Sequence, residues 1–145
     1  MNLIPVIKKI LGPKGTRFVR SVSFSKQLQI NKKNIKFTVN SKREFPFWIL
    51  VKLGLWESET YAIMNKFLDK QHSYLDIGSW IGPTVLYGSQ LARHCYAVEP
   101  DHIAFQELKN NVELNKNIQS NITLINAALS NLSGTIPLYQ FDESW

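Results

Sequence analysis

Apolar and polar residues alternate most clearly between Gln27 and Val39, where Leu28 and Ile30, then Ile35, Phe37 and Val39, flank the polar turn Asn31 to Asn34. Period two on both sides of a turn predicts a β-hairpin with one buried face, decorated by Lys32, Lys33 and Lys36. Upstream, Leu3, Ile4, Ile7, Ile10 and Leu11 stand near helical spacing. They predict a short amphipathic helix after Pro5, packed on the domain rather than laid on a membrane and ended by Gly12, Pro13 and Gly15. Phe45 to Trp48 begin an aromatic-rich connection to Leu53 and Gly54. From Glu57 to Asp69 the period is helical, with Tyr61, Ile63, Met64, Phe67 and Leu68 apolar and acids in the first turn, where they favour the positive end of the helix dipole.

The stretch Ser73 to Pro100 organises the rest. A short apolar run carrying Asp76 meets Gly78 and Gly82, then a helical segment Thr84 to Arg93 with Pro83 in its first turn, then a second apolar run, His94 to Glu99. A third helix is predicted over His102 to Asn115, burying Ile103, Phe105, Leu108, Val112 and Leu114 with Glu107, Lys109 and Glu113 outward. A polar loop, a strand over Ile122 to Ala128, a turn at Asn131 to Gly134 and a strand over Thr135 to Gln140 follow. Strand, tight loop, helix and strand in this order predict an α/β fold, a Rossmann-like doubly wound sheet.

Composition narrows the class. At 145 residues and 44% hydrophobic content the chain can bury a core of one domain. No run reaches the about 18 to 20 apolar residues that span a bilayer, and the opening residues lack a small-residue cleavage site. One cysteine, Cys95, is expected in the core and excludes an internal disulfide, so the setting is expected to be cytoplasmic, with a peripheral membrane association open. Residues 1–52 hold twelve Lys/Arg and one acid, Glu44, whereas residues 53–145 hold five Lys/Arg and ten acids. The net charges, +11 and −5, sum to the formal +6. Such a split suggests contact between residues 1–52 and an anionic surface, set against a merely solvated basic face. It also suggests two parts, 1–52 as a basic extension with short helix and hairpin and 53–145 as a Rossmann-like unit.

The loop chemistry points to a nucleotide-type ligand. Glycine lacks a Cβ and tolerates positive φ, so Gly78 and Gly82, flanking Ser79, Trp80 and Ile81, allow a sharp turn and close approach of a ligand. The loop amides and the positive end of the next helix suit a polar or anionic group. Asp76 lies at the strand's carboxyl end, where open α/β sheets bind ligands. Glu99 lies 21 residues beyond Gly78, near the roughly 20-residue interval at which an acid reaches ribose hydroxyls. A strand-end acid could instead cap the following helix, a role for which Asp101 is better placed. The middle glycine of G-x-G-x-x-G is missing, which argues against a dinucleotide and for a ribose ligand without a diphosphate.

At these residues the sequence resembles the FkbM family of class I S-adenosylmethionine-dependent methyltransferases. The family's D-x-G-A-N-x-G loop reads Asp76-Ile77-Gly78-Ser79-Trp80-Ile81-Gly82 here, with Trp80 in the Asn position. The likeness extends to Leu55–Thr60, to Ala97-Val98-Glu99-Pro100-Asp101, to Leu108–Asn115 and to Asn126–Ser130 with Gly134. The resemblance implies S-adenosyl-L-methionine as cofactor. It implies that Gly78 and Gly82 admit the methionyl part, with Ser79 counted in the same cofactor site, that Asp76 holds its amino group directly or through water, that Glu99 takes the ribose hydroxyls, that Pro100 packs near adenine, that Asn126 or Ala127 borders its edge, and that Glu57 lines the pocket. It further implies O-methylation of a small-molecule or glycan acceptor, with no dedicated nucleic-acid module. The family's later acidic motif has no counterpart before Trp145, so the second half of the sheet is expected outside this sequence and no catalytic base is named.

Two other readings stand beside it. One is a non-catalytic module that binds cofactor or associates through an exposed sheet edge. The other is nucleic-acid methylation, motivated by the +11 segment. His72, His94 and His102 are expected at boundaries or on the surface. The sequons at Asn121 and Asn131 are discounted for want of a secretory signal.

Overall fold

The structure, a computed structural model, describes residues 27–135 and 137–139; the expected helix at Met1 to Leu11 lies outside them. The hairpin forms as the alternation predicts, from β1 (Gln27–Lys32) and β2 (Ile35–Asn40), paired antiparallel with Lys32 opposite Ile35. Leu28, Ile30, Ile35, Phe37 and Val39 are all buried. Lys33 takes a positive φ of 53° in the two-residue turn, and Lys33 and Lys36 face solvent.

The aromatic connection is a helix, α1 (Phe45–Leu53). Its residues are apolar nearly all round, and Phe45, Phe47, Trp48, Ile49 and Val51 are buried, so it carries no polar stripe from which a helical period could be read. Pro46 stands in the first turn, where a missing N–H costs nothing. Gly54 ends the helix at φ 71°. Its N–H donates to the Val51 carbonyl and that of Leu55 to the Leu50 carbonyl, the paired bonds of a Schellman termination.

After α2 (Ser58–Phe67), β3 (Ser73–Ile77), α3 (Pro83–Gly88), β4 (His94–Val98), α4 (His102–Glu113), a short α5 (Lys116–Gln119) and β5 (Ile122–Ile125) build a parallel sheet in the order β3-β4-β5. The register sets Tyr74 beside Cys95 and Asp76 beside Ala97, then Cys95 beside Ile122 and Ala97 beside Leu124. These side chains share the face on which α3 packs. The opposite face presents Leu75, Ile77, Tyr96 and Ile125, each between 37% and 61% exposed.

Several boundaries differ from expectation. α3 is shorter than the predicted Thr84–Arg93, closing in turns after Gly88. β5 ends at Ile125, not Ala128, and Thr135 and residues 137–139 are not strand. α4 buries Ala104, Leu108, Asn111 and Val112, while Ile103, expected inside, is 47% exposed. The buried stripe thus passes through two asparagines, Asn111 and Asn115, which a purely apolar template assigns to solvent. The hairpin, α1, α2, α3 and α4 share one hydrophobic core. Among the described residues no helix is long and apolar enough to cross a membrane.

Candidate functional site

The carboxyl ends of the three parallel strands meet in one hydrogen-bonded unit. At the end of β3, Gly78 and Ser79 both donate backbone N–H groups to the Val98 carbonyl, at 2.9 and 3.1 Å, which bends the loop over β4. The Ser79 hydroxyl donates to the Asp76 carbonyl at 3.1 Å, and the Gly82 N–H to the Ser79 carbonyl at 2.9 Å. Gly78 adopts φ 76° with open space where a Cβ would stand. Gly82 adopts φ 93°, and a Cβ there would lie 2.6 Å from Cδ1 of Leu108 on α4. One glycine leaves the lip open; the other lets α4 close against the loop.

Glu99 is the centre of this unit. Its carboxylate is buried, accepts the Trp80 N–H at 2.7 Å on Oε2 and accepts the Asp101 N–H at 2.8 Å on Oε1. A carboxylate offers roughly four acceptor positions, so two backbone bonds leave capacity for hydroxyl donors. Asp101, not Glu99, caps α4, its Oδ1 accepting the Ala104 N–H at 2.7 Å. Asn126, just past β5, donates Nδ2 to the carbonyls of Glu99 at 2.7 Å and Pro100 at 3.3 Å. Pro100 is half-buried and Ala127 exposed. Glu99, Pro100 and Asn126 are therefore in contact, with the glycine loop joined to them through the Trp80 amide.

Trp80 carries φ 46°, uncommon for a bulky residue. Its ring packs edge-on against Phe47 of α1 at 4.5 Å, in a cluster that continues through Trp48, Trp56, Tyr61 and Tyr87. The ring is thus spent on the core side of the loop. Tyr61 donates its hydroxyl to the Pro83 carbonyl at 3.4 Å, at the start of α3, and Asn65 bonds the Tyr87 hydroxyl. Burial, with Glu57 and Tyr87 adding, raises the Tyr61 pKa above its ordinary value, and Lys32 Nζ lies 3.8 Å over its ring.

Asp76 is placed differently from the lip residues. It is buried on the face toward α3, and its Oδ2 accepts the Tyr74 hydroxyl at 2.8 Å. Burial and the Asp76 carboxylate raise the pKa of Tyr74; burial and the same carboxylate push the Cys95 thiol up to about 12. Glu57 is exposed with φ 39°, and its Oε2 accepts the Thr60 hydroxyl at 3.2 Å. His72 is exposed and bonds Asp69 at 2.8 Å, a partner three residues earlier that sequence spacing alone did not suggest. His94 bonds the Thr123 hydroxyl.

A residue not expected from the sequence also touches the loop. Asn111 of α4 is 1% exposed and donates Nδ2 to the Ile81 carbonyl at 2.9 Å. Its signal was present: with Ala104, Leu108, Val112 and Asn115 it completes a helical stripe at spacings of three and four.

No family model matches this chain, and no curated protein matches it. Solved structures do. The complex of aTrm5 with tRNALeu matches with a TM-score of 0.50 at 20% identity, over 76% of this chain and 30% of that one. TYW2 of M. jannaschii in complex with AdoMet matches at 20% identity and a TM-score of 0.46, over 71% of this chain and 44% of that one. The M. jannaschii tRNA m1G37 methyltransferase matches at 20% identity and 0.46, over 73% of this chain and 31% of that one. The chain spans less than half the length of each. At its score and identity the aTrm5 likeness is one of fold alone, and it agrees with the Rossmann-like parallel sheet described above.

It also corrects one expectation. A small-molecule or glycan acceptor with no nucleic-acid module is not what that fold match carries, since aTrm5 is solved with a tRNA. The physical reason is that the glycine loop and the strand-end acid carry no information on an acceptor. The same lip serves any acceptor, and a fold without a separate RNA-reading module can still present a basic surface.

Proposed function

We propose that this chain binds S-adenosylmethionine across the ends of β3, β4 and β5 and supplies the cofactor side of a class I methyltransferase. The observation that carries the reading is the Glu99 carboxylate, buried, bonded to the loop amide of Trp80, and flanked by Asn126 from the next strand end. Glu99 would hold ribose hydroxyls on its remaining lone pairs, and the open side of Gly78 would admit the methionyl end. When bound, the sulfonium supplies an electrophilic methyl group. The chain's own residues fix its orientation, which is the main protein contribution to an in-line displacement. Within the class, the Asp76 to Gly82 loop with Ala97 to Asp101 and Asn126 favours the FkbM family. Asp76 then acts indirectly, holding the strand end through Tyr74 and the loop through its carbonyl.

Titration calorimetry on the 145-residue protein tests this. S-adenosylmethionine and S-adenosylhomocysteine are expected to bind and NAD not to. Glu99→Gln is expected to weaken binding by about tenfold or more, the loss of charge-assisted bonds. Absence of binding by the wild type at millimolar ligand, or equal binding of NAD, overturns the reading.

For the acceptor we favour a nucleic acid. Lys33, Lys36, Lys42 and Arg43 are exposed on the hairpin and the turn that follows it, and the fold match at a TM-score of 0.50 is to a protein solved with a tRNA. A phosphate-bearing strand pairs with such a surface through counterion release, which gives the salt dependence tested below.

A further inference from the structure

We infer that Asn111 is a positioning residue for the cofactor loop, and that through it the geometry of the loop depends on the seating of the basic hairpin. The inference builds on the cofactor reading above for its consequence, though not for its structural test.

The outer edge of β2 has no strand beside it among the described residues, yet its Thr38 and Asn40 amides are satisfied. The Thr38 N–H donates to Asn115 Oδ1 at 2.8 Å and the Asn40 N–H to Asn111 Oδ1 at 2.7 Å. Glu107 and Asn111 on α4 and Asn115 just past its end stand four residues apart and form a ladder of side chains where a strand would lie, with Asn40 Nδ2 donating to Glu107 at 3.3 Å. The two asparagines end differently. Asn115 turns its Nδ2 back to Thr38 and to the Asn111 carbonyl, both at 2.7 Å, so it joins only hairpin and helix. Asn111 turns its Nδ2 to the Ile81 carbonyl inside the glycine loop.

The orientation of the Asn111 amide is chemically forced. A backbone N–H can only donate and a carbonyl can only accept, so Oδ1 must face Asn40 and Nδ2 must face Ile81. At 1% exposure no bulk water replaces either partner, and breaking one bond leaves a buried polar group unpaired. Any shift of Asn40 is passed to Ile81 across a single rigid amide. Ile81 is next to Trp80, whose N–H is held by Glu99, so the displacement reaches the lip. On the other side, the Lys42 N–H donates to Asn40 Oδ1 at 3.2 Å, which ties the basic turn at Lys42 and Arg43 to the same residue.

Residue-resolved amide exchange on Asn111→Asp and Asn115→Asp tests the assignment. Asp keeps the acceptor for the β2 amide and loses the donor. N115D is expected to speed exchange at Thr38 while Asn40 stays seated on Asn111, whereas at the Trp80 and Gly82 amides N111D is expected to raise it about tenfold and N115D less than about twofold. Equal effects of the two variants on the loop, or none from N111D, overturn the inference. Should N111D not fold, the wild type decides: the Asn40 and Trp80 amides should share one opening reaction across a denaturant series, and a Trp80 amide still protected where Asn40 exchanges overturns it. In calorimetry, N111D should weaken S-adenosylmethionine about fivefold or more and N115D should leave it unchanged, a split that two equally destabilised variants do not otherwise show. A wild type that fails to bind the cofactor removes the proposed function, while the exchange data still decide the role of Asn111.

Discussion

Gly78 and Gly82 both adopt left-handed backbone, yet alanine is expected to act differently at each. At Gly78 a Cβ enters open space, so the cost is conformational, about 1–2 kcal/mol. At Gly82 the same strain is joined by contact with Leu108, a fully buried side chain, and the combined loss should be about 2–4 kcal/mol by urea unfolding. For the cofactor the order should reverse, with Gly78→Ala the more damaging to binding because its Cβ occupies the open lip. A second residue-scale expectation concerns alkaline pH. Cys95, pushed up to about 12 from 9.0, stays protonated in the fold at pH values where the unfolded thiol ionises. Its contribution is complete below pH 9.0 and is lost as pH climbs toward 12; Tyr61 and Tyr74, also raised by burial, act in the same direction. Lys32 opposes them, since burial and Lys33 lower its pKa below 10.5 and its contribution grows as pH rises to that value. Three groups against one predict a urea midpoint that falls above pH 9, and a shallower fall in Cys95→Ala. Denaturant melts at stepped pH check it.

Among the elements, the hairpin was the most legible in the sequence, because a two-sided alternation around a polar turn admits few other structures. α1 was not legible, since a helix buried on nearly every side, five of its nine residues among them, has no polar stripe to set its period. α4 was read as a helix with Leu108 and Val112 rightly inside, but with Ile103 inside and Asn111 left out. Asn111 on its buried stripe and Asn115 just past its end are buried where the unpaired edge of β2 offers donors and acceptors that apolar side chains cannot satisfy. The hairpin is also where the acceptor reading is tested. Replacing Lys33, Lys36 and Lys42 together by Gln should flatten the slope of log K against log salt for a single-stranded RNA by about 2, near 0.7 for each phosphate no longer neutralised. Filter binding over a salt series measures it, and an unchanged slope removes the hairpin from the nucleic-acid surface.

On the scale of the molecule, the convergence of Gly78, Glu99 and Asn126 was readable because a parallel sheet brings successive strand ends to one rim, and the intervals between glycine loop and acids are set by one crossover each. The acceptor was not readable from those residues, which in the proposed reading hold the cofactor. Leu75, Ile77, Tyr96 and Ile125 form an apolar sheet face that stays exposed among the described residues, whereas parallel sheets ordinarily carry cover on both sides. The asparagine ladder has a consequence for how the molecule is reached from the unfolded chain. The hairpin closes on neighbours a few residues away, but the bonds that seat it span 77 residues between Thr38 and Asn115 and 71 between Asn40 and Asn111. Such pairings are late in folding, because the closure entropy of a long loop precedes any return from the contact. The hairpin is therefore expected to close before it is seated, and the glycine loop to take its final shape only when α4 joins the two.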